Sequence, residues 1–163
     1  MMFGWTLSEA APRMARHGGR AALIAAVAVL TTTAASVATQ AQGAGSTVWA
    51  GSYTVEQAER GKVGYATNCA SCHGPAMTGG DSAPPLVGGV FLNNWNGTTT
   101  GDLFSRIHDT MPASDPGSLG GKTVSDIEAF IFQTNGFPAG PTPLPTDPQL
   151  MTATKILGTR PAG

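Results

Sequence analysis

Cysteine is almost missing from this chain: Cys69 and Cys72 are two thiols in 163 residues. A structural zinc site would want a second ligand pair, and a thioredoxin-like redox pair would want a βαβ setting that the sequence does not offer. Basic residues are scarce too. Nine Lys and Arg stand against ten Asp and Glu, and from Gln42 onward six basic residues meet nine acidic ones. That balance argues against nucleic acid as a partner and leaves no lysine ring for docking on a strongly acidic one. No strand period and no internal repeat is visible, and Gly- and Pro-rich stretches separate the periodic segments.

What the chain does have is Cys69-Ala70-Ser71-Cys72-His73. Cys-x-x-Cys-His is the attachment pattern of a c-type haem. Thiols three positions apart reach the two vinyl groups of one porphyrin, and the adjacent imidazole then lies beneath the iron as a strong axial ligand. The expected cofactor is therefore one covalent haem c on Cys69 and Cys72, with His73 on the metal. A mature chain of this size is marginal for a purely protein core, so the porphyrin is expected to be part of that core.

Ahead of the motif, Arg13, Arg16, His17 and Arg20 precede an apolar stretch from Ala21 to Leu30, and small-residue cleavage points follow at Ala38 and Ala41. Residues 1–41 read as an export signal cut near Ala41, with Met14 as a candidate start, and the expected compartment is a bacterial periplasm. The alternative is an uncleaved anchor, because Ala21 to Ala38 is uncharged over nearly a spanning length. Its alanines and threonines supply little insertion energy, which favours the signal.

Residues 42–52 are small and polar and are expected to form a flexible linker. Thr54 is placed to cap a helix from Val55 to about Asn68, with Gln57 reaching back in a capping box. Gly61 and Tyr65, one turn apart, offer a notch beside a ring where another helix can sit. A second helix is expected from Gly101 to about Asp109, capped by Thr99 or Thr100 and ended by Pro112. A third begins near Thr123, carries Val124, Ile127, Phe130, Ile131 and Thr134 at helical spacing, and stops at Asn135-Gly136; its apolar stripe is expected to meet Gly61 and Tyr65. Six prolines in residues 137–163 forbid long regular structure there. That tail is expected to be extended or partly mobile, tacked down by Leu144, Leu150, Ile156 and Leu157.

Helix, Cys-x-x-Cys-His, Pro-rich loop, helix, Met111-Pro112 and terminal helix, in that order, resemble a class I cytochrome c over residues 53–136. The resemblance implies an all-α cytochrome c fold, a small helical domain wrapped around one covalent haem. It implies Met111 as the second axial ligand, whose thioether raises the potential relative to a second imidazole. His108 is the rival for that position. Ala83-Pro84-Pro85-Leu86-Val87-Gly88 is similar to the family's Pro-x-Leu-x-Gly segment, which implies that the Pro84 carbonyl accepts from the ring of His73 and that Leu86 packs on the porphyrin. Trp95 matches a tryptophan that donates to a haem propionate in many members, with plain core packing as the alternative. Asn135 to Gly140, followed by Leu144-Pro145, resembles cytochrome domains that accompany pyrroloquinoline-quinone-dependent alcohol dehydrogenases.

The function this implies is a periplasmic one-electron carrier and not an enzyme. It takes electrons from a periplasmic, quinoprotein-type dehydrogenase and passes them to a larger cytochrome or terminal oxidase. Contact with the partner is expected at the small residues Ala70, Ser71, Gly74, Ala76 and Met77, and contact with a membrane only transiently or through a partner. The competing readings are a cytochrome subunit held permanently in a dehydrogenase complex, with the tail as docking material, and a haem peroxidase or nitrite-type enzyme using His108 as its acid–base group.

Overall fold

The computed structural model describes residues 46–162. The expected export signal, residues 1–41, and the first residues of the expected linker lie outside the described residues. Five helices carry the fold: α1 (Val55–Asn68), α2 (Ala70–His73), α3 (Gly88–Trp95), α4 (Thr100–Thr110) and α5 (Gly121–Thr134), with 3₁₀ turns at Val48–Ala50 and Pro148–Met151. There is no strand among the described residues, and their architecture is all-α, as expected. No helix among them is long and apolar enough to cross a membrane.

Helix α1 starts as its sequence dictates, with the Thr54 hydroxyl accepting from the Gln57 N–H at 3.2 Å. Gln57 does not complete a capping box. Its buried side chain crosses to α5 and the tail instead, Nε2 donating to Ser125 Oγ (2.7 Å) and to the Leu144 carbonyl (3.1 Å), and Oε1 accepting from the Leu144 N–H (2.8 Å). A buried amide satisfied on both sides is worth more here than one bond at an exposed helix end. Helix α4 does carry a capping box, between Thr99 and Asp102.

The α1–α5 contact is the spine of the domain. A Cβ on Gly61 would overlap the Asp126 carbonyl and stand 3.0 Å from Phe130 Cβ, so the two backbones approach as only glycine allows. Beside it Tyr65 meets Phe130 edge-on, centroids 5.7 Å apart, and Arg60 grips Asp126 with two bonds of 2.8 and 2.9 Å. Gly61→Val is expected to lower the stability of the holoprotein at the upper end of about 1–3 kcal/mol, because the obstructing atom is backbone and cannot rotate aside. Denaturant midpoints test this, and a neutral Gly61→Val would mean that the helices tolerate separation.

Helix α5 begins at Gly121, two residues before Thr123, because its first turn is held by the tail: a Cβ at Gly121 would stand 2.7 Å from the Thr146 carbonyl. It ends at Thr134 with Asn135 as its C-cap, followed by Gly136 at φ 79°.

Two expectations at the edges need correction. The stretch expected as a flexible linker is built into the domain from Ser46 onward. Val48 is fully buried, its N–H donates to the Lys155 carbonyl at 2.9 Å, and the Lys155 N–H donates to the Ser46 carbonyl at 2.8 Å. The tail continues between this segment and α4, through Ile156 N–H to the Thr98 carbonyl (2.9 Å) and Thr100 N–H to the Thr154 carbonyl (3.0 Å). Leu144 and Ile156 pin it as expected, but Met151 is buried where Leu150 was expected, and Leu150 is exposed. The 3₁₀ turn at Pro148–Met151, opened by Asp147 accepting from the Gln149 N–H, turns Met151 inward and Leu150 out.

Candidate haem site

The last turn of α1 delivers Cys69, whose N–H donates to the Tyr65 carbonyl at 2.9 Å. At φ −126° Cys69 breaks the helix axis and at once caps α2, a single turn in which the Cys72 and His73 N–H groups both donate to its carbonyl, at 3.2 and 2.9 Å. Cys69, Cys72 and His73 therefore ride on one turn as i, i+3 and i+4, the spacing that puts three side chains on one face. Both thiols are free, Cys69 half-buried and Cys72 exposed. Burial, and then the neighbouring Cys72, push the Cys69 thiol up to about 11. Tyr65 braces the turn from behind by donating to the Gly74 carbonyl at 2.7 Å; burial, followed by the proximity of Cys69, pushes its phenol up to about 12, so the donated proton stays in place.

His73 is buried, with Nδ1 2.8 Å from the Pro84 carbonyl. A carbonyl only accepts, so Nδ1 bears the proton and the lone pair of Nε2 is left for a metal. The loop that brings Pro84 there is tied to the same segment: Gly79 N–H donates to the His73 carbonyl (2.9 Å) and Leu86 N–H to the Met77 carbonyl (2.8 Å). Gly79 adopts φ 73°, and a Cβ there would stand 2.6 Å from the Pro85 nitrogen, so this turn requires glycine.

Met111 closes α4, half-buried against the core, with its N–H on the Ile107 carbonyl at 2.9 Å. His108 is occupied elsewhere: its ring stacks on Phe104, centroids 5.9 Å apart, and Nδ1 lies 2.8 Å from Asp109 Oδ1, with 40% of the side chain exposed. Leu86 is half-buried at the edge of the core, and Trp95 is the last residue of α3, a helix the sequence reading did not anticipate, where its ring lies 6.4 Å from that of Phe91. Met77 corrects the expected docking rim. It is 1% exposed at φ 61°, so of that set Ser71 and Ala76 face solvent while Met77 belongs to the core.

The donor set consists of two free thiols, an imidazole with one nitrogen committed and the other open, and a thioether. Ala70, Leu86, Val87, Leu92, Trp95 and Leu119 are only partly buried against the core. Residues of these kinds fit a covalently attached porphyrin.

Residues 56–131 match the family model described as Cytochrome C oxidase, cbb3-type, subunit III. The matched stretch runs from α1 into α5 and contains Cys69, Cys72, His73, Pro84, Leu86, Trp95 and Met111. No curated protein matches the chain. Among solved structures, the crystal structure of the sulfane dehydrogenase SoxCD from Paracoccus pantotrophus is similar, with 24% identity and a TM-score of 0.40 over 53% of this chain. The likeness spans 52% of that structure's chain, about half its length.

Proposed function

We propose that the cytochrome c domain at residues 56–131 serves an exported one-electron carrier, with electrons arriving from a periplasmic dehydrogenase of the quinoprotein type and leaving to a larger cytochrome or terminal oxidase. The observation that carries this reading is the α2 turn, which places two free thiols and a correctly tautomerised histidine on one face. In this reading Cys69 and Cys72 would hold one haem c through thioethers, His73 Nε2 and Met111 Sδ would be the protein's donors to its iron, Pro84 would orient the imidazole, and Leu86 and Trp95 would pack beside the ring. Bound there, haem supplies a reversible one-electron iron couple.

His73 is buried and its ring is held by the Pro84 carbonyl, which would keep the imidazole in one orientation toward a bound haem. A peroxidase needs an acid–base group over an open sixth position. His108 is turned to Phe104 and Asp109, which supports the carrier over the peroxidase. Against the permanent subunit stands the tail, whose Leu144, Met151 and Ile156 are buried on its own domain and are not spare docking material.

The test is ligation. Ferric protein should show the weak red band of sulfur-to-iron charge transfer. Met111→Ala should lose it, keep haem attached, bind small exogenous ligands and fall in potential, because a soft ligand that favours the reduced state is gone. His108→Ala should change none of these. An unaltered spectrum in Met111→Ala, or a lost low-spin signature in His108→Ala, would refute the assignment.

A further inference from the structure

In the structural reading of the sequence Asn135 stops α5. Its side chain does more. Nδ2 donates to the Ile131 carbonyl of its own helix (2.9 Å) and to the Leu86 carbonyl (2.9 Å), while Oδ1 accepts from the Gly88 N–H (3.0 Å). Two carbonyls that only accept and one N–H that only donates leave the amide a single orientation, and both amide N–H bonds are used.

From these contacts we infer that Asn135 is a positioning residue for His73, acting through the loop between Pro84 and Gly88; the inference rests on the reading of His73 as the iron ligand. The Pro84 carbonyl that receives the His73 Nδ1 proton lies two residues from the clamped Leu86 carbonyl, and the ring of Pro85 fixes φ in the backbone between them. Leu86 is tied on its other side to Met77, but Met77 is itself bonded to the turn that carries His73, through its N–H to the Gly74 carbonyl at 3.1 Å. That tie moves with the ligand. Asn135 is a tie to a different element, the end of α5, whose own position is set by the close contact of Gly61 with Asp126. The plane of the imidazole is thereby referred to the α1–α5 frame and not merely to the local loop.

With the clamp cut, the loop gains freedom and the His73–Pro84 bond weakens. The imidazole becomes a poorer donor and the oxidised state loses stabilisation, so the potential rises. The experiment compares holoproteins carrying Asn135→Ala, Asn135→Asp and, as a control for stability alone, Gln57→Ala. Gln57 is also a buried amide joining α5 to distant chain, but it touches Ser125 and Leu144 and no part of the loop. Midpoint potential, the low-temperature electron paramagnetic resonance of the ferric protein and solvent exchange of the His73 Nδ1 proton are read together.

Both Asn135 variants should raise the potential, shift the g values and exchange that proton about tenfold faster, the factor a lost hydrogen bond gives. Asn135→Asp should shift furthest, since it sets carboxylate oxygen against two carbonyls. Gln57→Ala should lower the melting temperature and leave all three signals alone. Wild-type signals in Asn135→Ala, or equal shifts in Gln57→Ala, overturn the inference. If native holoprotein lacks a histidine-ligated haem resonance, the ligand assignment itself falls, and the inference falls with it.

Discussion

Replacing Cys69 and Cys72 together with alanine is expected to leave a chain that neither captures haem nor reaches a cooperative native state. No other cysteine exists to form a thioether. Leu86, Val87, Leu92, Trp95, Met111, Leu119 and Phe130 are only partly buried against the protein's own core. Full burial of one such side chain is worth about 1.5–3 kcal/mol, and a domain's whole stability is about 5–15 kcal/mol. Half-burial of seven such groups forfeits an amount of the same size as the total. The variant should carry no covalent haem, show weak near-ultraviolet dichroism and melt without a sharp transition. A haem-free double variant with a steep thermal transition would show that protein packing alone carries the fold.

Local chemistry was legible in the sequence wherever one short segment decides its own conformation. Thr54 and Thr99 cap helices, the Cys69 to His73 run forms one turn, and Gly61 beside Tyr65 marks the crossing of α1 and α5. The fold class follows from the order of these pieces. What escaped was decided by partners distant in the chain. Gln57 forsakes its capping role for Leu144, 87 positions away. Helix α3 opens on two glycines and no side chain caps it, so neither propensity nor capping announces it. The Pro-rich tail and residues 46–52 read as loose by composition, yet each gives the other its backbone partners. Asn135 shows both sides of this: its place at the end of α5 is readable from the following glycine, while its clamp on Leu86 depends on a loop 49 positions earlier.

Nothing in the sequence pattern singles out Glu128, yet it sets the second large expectation: the stability of the holoprotein should fall as pH rises above about 4.5, and Glu128→Gln should abolish that fall. Residue 128 follows Val124 by one turn and precedes Phe132 by one, among the buried positions of α5. Its carboxyl is 0% exposed and neither oxygen has a hydrogen-bond partner. Burial pushes it well above its ordinary 4.5, so the native state keeps a proton that the unfolded chain releases above that value. Stability is then full below pH 4.5 and is lost with rising pH, by up to about 1.4 kcal/mol for each pH unit, until the folded value is passed. Asp126 and Asp102 act in the opposite sense. Burial opposes ionisation of Asp126, but bonds from Arg60 and Lys122 outweigh it, and bonds with Thr99 hold Asp102 down. Both lie below 3.8, so their contribution is present above that pH and lost on acidification. Glutamine keeps the shape of Glu128 without the titration, but its amide donors would also be unpaired, which offsets part of any gain at neutral pH. The slope of stability between pH 5 and 8, from denaturant midpoints of both proteins, is therefore the decisive measure. Equal slopes in the two proteins would mean that the Glu128 carboxyl finds water or a charged partner and does not titrate as a buried acid.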